Sequence, residues 1–447
     1  MVVFVFKRKI YDELLSWKLK SNGKTALLIE GARRIGKSTI AEELGKNEYP
    51  DYKIIDFSIQ SESFKSIFDD LSDMDIFYRN LFLSLKISPM PSGSLFIFDE
   101  IQYCPKARQA IKHLVKDGRY QFIETGSLVS IKENIEDILI PSEEERIEMY
   151  PMDYEEFMWA VGRDYELETI RTIFKDRNVK QNSLNHQLFI KTFRLYLAIG
   201  GMPQAINKYI ETKDFYAVDK IKHNILKLYE EDLKKIDNKF NTICYIMWKS
   251  IPSMLSRHNT RFTISSINER ADSVLITNTL EKLKESKMAY CVYKCSDPQI
   301  GFELTKDSSY FKLYFNDVGL FTSTVYSSDL SESRDIYQRL ILDTVDVNLG
   351  MLYENYAAQC LITNGHDPYY YSWNADSRTY EIDFLIYKKG HIIPFEIKSG
   401  KNITTKSLDL FKEKYSHSIG ERYVAYTKPL RYGDNTTFLP VYMLFCL

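Results

Sequence analysis

The sequence predicts a multidomain α/β protein that begins with a parallel sheet covered by helices. Three observations predict it. At 447 residues the chain is too long for one ordinary domain and suits about three, at roughly 150 residues each. Hydrophobic residues make up 44% of it and charged residues 27%, a globular composition that excludes disorder and fibrous repeats. Over the first ~130 residues, strand-length apolar runs alternate with helix-period segments, the order that gives parallel strands joined by crossover helices. The 32 Tyr, 26 Phe and 4 Trp are enough to fill several cores.

The charges nearly cancel, with 59 Lys+Arg against 61 Asp+Glu and a net charge of −2. A nucleic acid or membrane must therefore be met by a local surface, because no global field attracts it. Six cysteines are too few for a disulfide scaffold; only Cys291 and Cys295 are close, and no His cluster completes a zinc site. The opening apolar run precedes its charges, the reverse of a signal peptide, and no apolar run reaches the roughly eighteen residues of a membrane span. A cytoplasmic protein with reduced thiols and no membrane partner is the expectation.

Taken in order, Ile10, Leu14 and Leu15 mark an amphipathic opening helix that ends in the Ser21-Asn22-Gly23 turn. Buried strands are predicted at 26–29, 54–57, 95–98 and 122–123, with helices after Gly36 and over 107–115. Between 130 and 170 thirteen Asp/Glu face three Lys/Arg, and Pro141 and Pro151 punctuate the stretch, so the first domain is expected to end near 160. Residues 161–236 read as helical, interrupted by a turn at Gly200-Gly201-Met202-Pro203. In 237–315 a helix over 274–287 leads into the alternating Tyr290-Cys291-Val292-Tyr293, which suits a winged helix. Residues 316–447 combine a helix over 351–362 with strands at 381–387 and 392–397.

Gly31-Ala32-Arg33-Arg34-Ile35-Gly36-Lys37-Ser38 fits G-x-x-x-x-G-K-[ST] directly after a buried strand and at the start of a helix. Glycines let main-chain N–H groups wrap phosphates, and the helix N-terminus adds its dipole. Gly31 through Thr39 are thus expected to hold ATP, with Lys37 on the β- and γ-phosphates and Ser38 on Mg²⁺. The run Leu95-Phe96-Ile97-Phe98 delivers Asp99 and Glu100 at the ligand edge of the sheet. Asp99 is expected in the Mg²⁺ shell, and Glu100 as the group that orients and deprotonates water. Such a pair also commonly caps a helix. Thr125, then Ser127, is the choice for a polar contact to the γ-phosphate or the water, although a plain strand-ending turn would look the same. Arg146, Arg108 and Arg119 are candidates for an arginine finger, among which spacing does not choose.

Near the carboxy terminus, Glu354, Asp383, Glu396 and Lys398 follow the order Glu, Asp, Glu-x-Lys of PD-(D/E)xK nucleases. Period-2 alternation puts Glu396 and Lys398 on one strand face, within reach of Asp383. Carboxylates such as Asp383 and Glu396 can gather Mg²⁺ to activate water on a phosphodiester, with the lysine assisting. An exposed hairpin with these residues would equally be an ordinary solvated surface. Residues 388–431 hold ten Lys/Arg against four Asp/Glu, an excess that suits a phosphate backbone or a solvated face alike.

Together these residues resemble the bacterial and archaeal AAA-type P-loop ATPases that end in a domain of unknown function with a PD-(D/E)xK-like core. The resemblance is carried by the phosphate loop, Phe98-Asp99-Glu100-Ile101-Gln102, Thr125-Gly126-Ser127, and Met149-Tyr150-Pro151-Met152-Asp153-Tyr154-Glu155-Glu156-Phe157. It continues through Gly200-Gly201-Met202-Pro203, Lys312-Leu313-Tyr314-Phe315-Asn316-Asp317-Val318-Gly319-Leu320, Leu352-Tyr353-Glu354-Asn355 and Glu396-Ile397-Lys398-Ser399-Gly400. It implies an ATPase core, a helical lid, a winged-helix segment and a restriction-endonuclease-like α/β end domain. Lys37, Ser38, Asp99 and Glu100 match the family's nucleotide site, and Glu354, Asp383, Glu396 and Lys398 its nuclease-like positions. Arg146 matches an arginine before the Tyr-Pro motif, with Glu143-Glu144-Glu145 where the family has Gly.

The leading expectation is an ATP-binding, ATP-hydrolysing protein that couples nucleotide state to contacts with DNA or another nucleic acid. Two alternatives stand beside it: an ATP-licensed, Mg²⁺-dependent nuclease, and a non-enzymatic winged-helix regulator that binds DNA. A protein partner is also open.

Overall fold

The computed structural model describes residues 5–126, 142–235, 241–256, 273–326, 333–344, 349–400, 403–433 and 435–447. They form two compact units, one built from residues up to Tyr150 and the other from nearly all those beyond it. All six thiols are free. Among the described residues, no helix is long and apolar enough to cross a membrane.

The first unit carries a five-stranded parallel sheet in the order β2-β3-β4-β1-β5. Its strands are β1 (Ala26–Glu30), β2 (Tyr52–Asp56), β3 (Leu95–Asp99), β4 (Gln121–Thr125) and β5 (Glu144–Glu148). The first four residues of β1 and of β3 are buried, as parallel strands covered on both faces require. Around the sheet lie α1 (Ile10–Ser21), α2 (Lys37–Glu48), α3 (Met74–Leu85) and α4 (Pro105–Asp117). α4 starts with Pro105, whose missing N–H is not needed there, and stops at Gly118 in the left-handed region.

One sheet face packs on α3 and α4 through an aromatic cluster. In it Phe57 meets Phe98 edge-on at 5.4 Å, and Phe96 meets Tyr120 at 5.3 Å. These offset geometries suit the ring quadrupoles, and much of the chain's aromatic content goes here. α2 covers the opposite face, against β3 and β4. Parallel pairing brings the strand ends to one edge: Asp56 lies beside Asp99, and Ile29 beside Thr125.

The second unit opens with α5 (Tyr154–Ala160), α6 (Asp164–Lys175), α7 (Val179–Ile199), α8 (Pro203–Thr212) and α9 (Phe215–Lys235). α5 begins in a capping box: Asp153 accepts from the Glu156 N–H, and Glu156 accepts from the Asp153 N–H. Next come α10 (Asn241–Ser256), α11 (Ser273–Glu285), α12 (Val318–Tyr326), α13 (Ser333–Leu342), α14 (Gly350–Thr363) and α15 (Lys406–Lys414).

Its eight strands are β6 (Ala289–Cys295), β7 (Lys306–Phe315), β8 (Tyr369–Ala375), β9 (Arg378–Lys388), β10 (His391–Lys398), β11 (Arg422–Tyr426), β12 (Arg431–Gly433) and β13 (Thr436–Pro440). They form one mixed sheet in the order β12-β13-β11-β10-β9-β8-β6-β7. β6 and β7, which lie within residues 237–315, pair antiparallel. Here β6 pairs in parallel with β8, at Tyr293–Tyr369 and Lys294–Tyr370, so the hairpin shares a sheet with the carboxy-terminal strands. The expected boundary at 315/316 falls at the end of β7. Local alternation identifies a strand without naming its neighbour, so this partnership had no signature in the hairpin itself.

Motifs from three parts of this unit meet in its interior. The Gly201 N–H donates to Asp317 Oδ2 at 2.5 Å, and Met152 N donates to Gly201 O at 2.8 Å. Asn355 bonds both main-chain groups of Phe315, and Gln359 Oε1 accepts from Val318 N at 3.0 Å. A Cβ on Gly201 would lie 1.9 Å from the Met152 carbonyl oxygen, so only glycine permits the approach.

Candidate functional site

The phosphate loop joins β1 to α2 with the main chain that its glycines allow. Gly31 has φ +150° and Gly36 φ +101°, and Arg34 between them also lies at positive φ, +67°. A Cβ on Gly31 would come within 2.3 Å of Met149 O and 2.6 Å of Ile35 Cδ1. α2 starts at Lys37, so its unpaired N–H groups face the loop. Lys37 is buried, and its ammonium donates to Gly31 O at 2.9 Å and Ala32 O at 2.8 Å.

Ser38, Asp99 and Thr125 come together at the sheet's carboxyl edge. Asp99 Oδ1 accepts from Ser38 Oγ at 2.7 Å and also from the Thr125 hydroxyl. A hydroxyl and a carboxylate, both hard oxygen donors, at the mouth of a phosphate loop fit Mg²⁺. That ion typically takes one or two protein oxygens and draws the rest of its shell from phosphate and water. Glu100 follows at φ +54°, a strained position for a residue with a side chain, and its carboxylate accepts from Gln102 Nε2. Ser127 lies outside the described residues.

The arginine candidates are all held by carboxylates. Arg108 makes a buried fork to Glu144, with two bonds of 2.9 Å. Arg119 pairs with Asp117 and Asp75 and lies over the Tyr78 ring. Arg146, about two-fifths exposed, contacts Glu144 and Glu30. An arginine that sequence reasoning passed over is tied to the loop: buried Arg8 donates to Ile35 O at 2.8 Å and to Tyr150 O at 2.6 Å. It precedes the first strand outside any motif, so no local signal marks it.

The four carboxy-terminal candidates stand on two strands and a helix. Glu354 stands on α14, Asp383 on β9, and Glu396 and Lys398 on β10. Asp383 Oδ2 accepts from Ile397 N at 2.7 Å, and the Lys398 ammonium lies 3.1 Å from Glu396 Oε2. Burial, reinforced by the charge on Asp383, pushes Glu396 up to about 7 against the pull of Lys398. Burial likewise raises Asp383, with the charge on Glu354 adding to it.

Three further residues that the sequence did not single out complete the cluster. Lys312 on β7 donates to Glu354 Oε1 at 3.0 Å and to Glu381 Oε1 at 2.7 Å, and Tyr314 donates to Glu354 Oε1 at 2.7 Å. The sheet curls enough for edge strand β7 to meet β9, three places away in the strand order. Burial opposes the charged form of Lys312, but Glu354 and Glu381 outweigh it and hold the ammonium well above its usual range. Among the described residues, no group of three or more His, Cys, Asp or Glu is arranged to hold a metal ion. Glu354, Glu381 and Asp383 face ammonium, phenol and amide donors, while the Glu396 oxygens have no hydrogen-bond partner and lie beside Lys398; with two ammoniums among them these carboxylates do not fit a divalent ion.

Comparison with known proteins agrees with the first site. Residues 23–158 match a family model described as AAA domain. Residues 190–332 and 349–444 match models described as domains of unknown function, DUF8612 and DUF4143. No curated protein matches. Among solved structures, a Walker-type ATPase of Pyrococcus abyssi is similar at 16% identity and TM-score 0.41, over 72% of this chain and 96% of that one. The ORC1 protein of Aeropyrum pernix in complex with DNA is similar at 9% identity and TM-score 0.27, over 74% of this chain and 95% of that one. Cdc6p from Pyrobaculum aerophilum is similar at 12% identity and TM-score 0.27, over 77% and 97%. The chain is a multidomain α/β protein whose residues 23–158 are similar to an AAA domain and include the phosphate loop.

Proposed function

We propose that this protein binds ATP with Mg²⁺ on residues 31–39, hydrolyses it, and couples the nucleotide state to contacts with nucleic acid made by its remaining domains. The observation that carries the nucleotide reading is the meeting of Ser38 and Thr125 on one oxygen of Asp99, beside the loop. Ser38 and Asp99 would hold Mg²⁺, which would supply positive charge against the phosphates. In this reading the loop N–H groups and Lys37 grip the phosphates, the ammonium exchanging the Gly31 and Ala32 carbonyls for phosphate oxygens. Asp99 holds the Ser38 hydroxyl in place. Glu100 aligns the attacking water and takes its proton, and Thr125 offers a polar contact to the γ-phosphate or that water.

The nucleic-acid half rests on charge. Residues 388–431 carry ten Lys/Arg against four Asp/Glu, and 239–300 nine against five, in a chain that is near neutral overall. We place the protein in the cytoplasm, with 161–236 as lid, 237–315 as winged-helix segment and 316–447 as end domain.

The test is ATP turnover with and without duplex and single-stranded DNA. Stimulation that fades with salt is the expected result. Turnover indifferent to every nucleic acid would remove that half and point to a protein partner. No ATP binding at millimolar nucleotide with Mg²⁺ would remove the whole reading.

A further inference from the structure

We propose that Lys312, carried by β7, is a cation built into the acidic cluster of the end domain, so that the Glu354–Asp383–Glu396 cluster takes no divalent metal. The inference concerns the second unit alone and stands independently of the nucleotide site. It begins from an ammonium in an unusual place. Lys312 is 8% exposed, and its Nζ reaches two carboxylates, Glu354 at 3.0 Å and Glu381 at 2.7 Å. The ring of buried Tyr370 lies 5.4 Å away on another side. Of the three donors of the ammonium, two go to carboxylates, and the ring adds a cation–π contact.

Among the remaining acids, Tyr314 donates to the same Glu354 oxygen as Lys312, and the Ile397 amide donates to Asp383; Lys398 lies 3.1 Å from Glu396, whose buried carboxylate oxygens have no hydrogen-bond partner. Four carboxylates, Glu354, Glu381, Asp383 and Glu396, thus share Lys312 and Lys398 as counter-charges, with Tyr314 and Tyr370 as the other titratable groups against them. A divalent ion entering this space would meet the Lys312 charge at close range in a poorly solvated interior, where repulsion is strong. Moving Lys312 aside would strand a buried ammonium away from its partners, because β7 carries it in a paired strand. The cluster is therefore an ion-pair network around Lys312 that joins β7, β9, β10 and α14, and the metal-dependent cleavage implied by the order of these carboxylates is not its work.

Mn²⁺ serves as the probe, with the full chain free of nucleotide and bound metal counted by electron paramagnetic resonance. Four proteins are compared: wild type, Asp383→Asn, Lys312→Met, and the double variant. Wild type and Asp383→Asn are expected to bind Mn²⁺ identically. Lys312→Met is expected to gain one site at least tenfold tighter than any in wild type, and Asp383→Asn in that background should abolish it. A wild-type site lost on Asp383→Asn overturns the proposal, as does a folded Lys312→Met protein with no gained site. Should Lys312→Met fail to fold, the wild-type and Asp383→Asn pair decides by itself. Asp99 is intact in all four, so metal at the nucleotide site cancels in every comparison.

Discussion

Glu100 adopts φ +54° at the end of a buried strand, although a β-carbon makes that conformation costly. Its carboxylate accepts from Gln102 Nε2. If Glu100 is the base, Glu100→Gln should leave ATP affinity intact and lower turnover by roughly 10²–10⁴, the usual worth of a positioned base. Unchanged steady-state turnover would take Glu100 out of the mechanism. Lys37 poses a different question, because its ammonium already makes two bonds within the loop. Hydrogen bonds to a charged group are worth about 1.5–3 kcal/mol each, so Lys37→Ala should weaken ATP binding roughly tenfold or more by calorimetry. These residues were legible because each sits in a contiguous motif whose spacing reflects a local geometry.

At the scale of elements, the loop's neighbours and the meeting of motifs in the second unit set the terms. Arg8 bonds two carbonyls, one in the loop at Ile35 and one at Tyr150, and so ties the loop to the chain that leaves β5. Arg8→Ala should cut ATP affinity by about tenfold, the value of roughly one charged hydrogen bond. Calorimetry giving wild-type affinity would show that the loop holds its shape alone. Gly201 is constrained more tightly. With the Met152 oxygen 1.9 Å from where a Cβ would sit, Gly201→Ala forces the main chain apart. A loss of about 1–3 kcal/mol or more is expected, read from the denaturant midpoint of the second unit. The Gly-Gly-Met-Pro and Asn-Asp-Val-Gly-Leu motifs that looked like family signatures thus act as packing devices. Their glycines were visible in the sequence; the partner each one meets was not.

Across the second unit as a whole, Lys222 on α9 is fully buried. It donates to Ala198 O at 2.6 Å, Tyr337 Oη at 2.9 Å and Gly319 O at 3.3 Å, which links α7, α12 and α13. Burial brings its pKa down from 10.5 to about 8, against the pull of Asp219 and Asp317. Between these two values the unfolded chain binds a proton that the folded one has released, so stability rises with pH from about 8 to 10.5 and falls as pH drops through 8. In Lys222→Met this rise should vanish; a denaturation series that keeps the same slope would assign it to other groups.

The sequence by itself determined the parallel sheet, the loop at 31–39, and Asp99 and Glu100 at the strand end. Those features follow from short-range rules: continuous apolar runs of strand length, glycine freedom at the turn, and the direction in which a parallel strand points its last residues. Only the tertiary structure decided that β6 pairs with β8, that Arg8 braces the loop, and that Lys312 lies among the acids of the end domain. Those outcomes depend on how a sheet curls and on which distant segments it brings together, and no residue carries that information within its own neighbourhood.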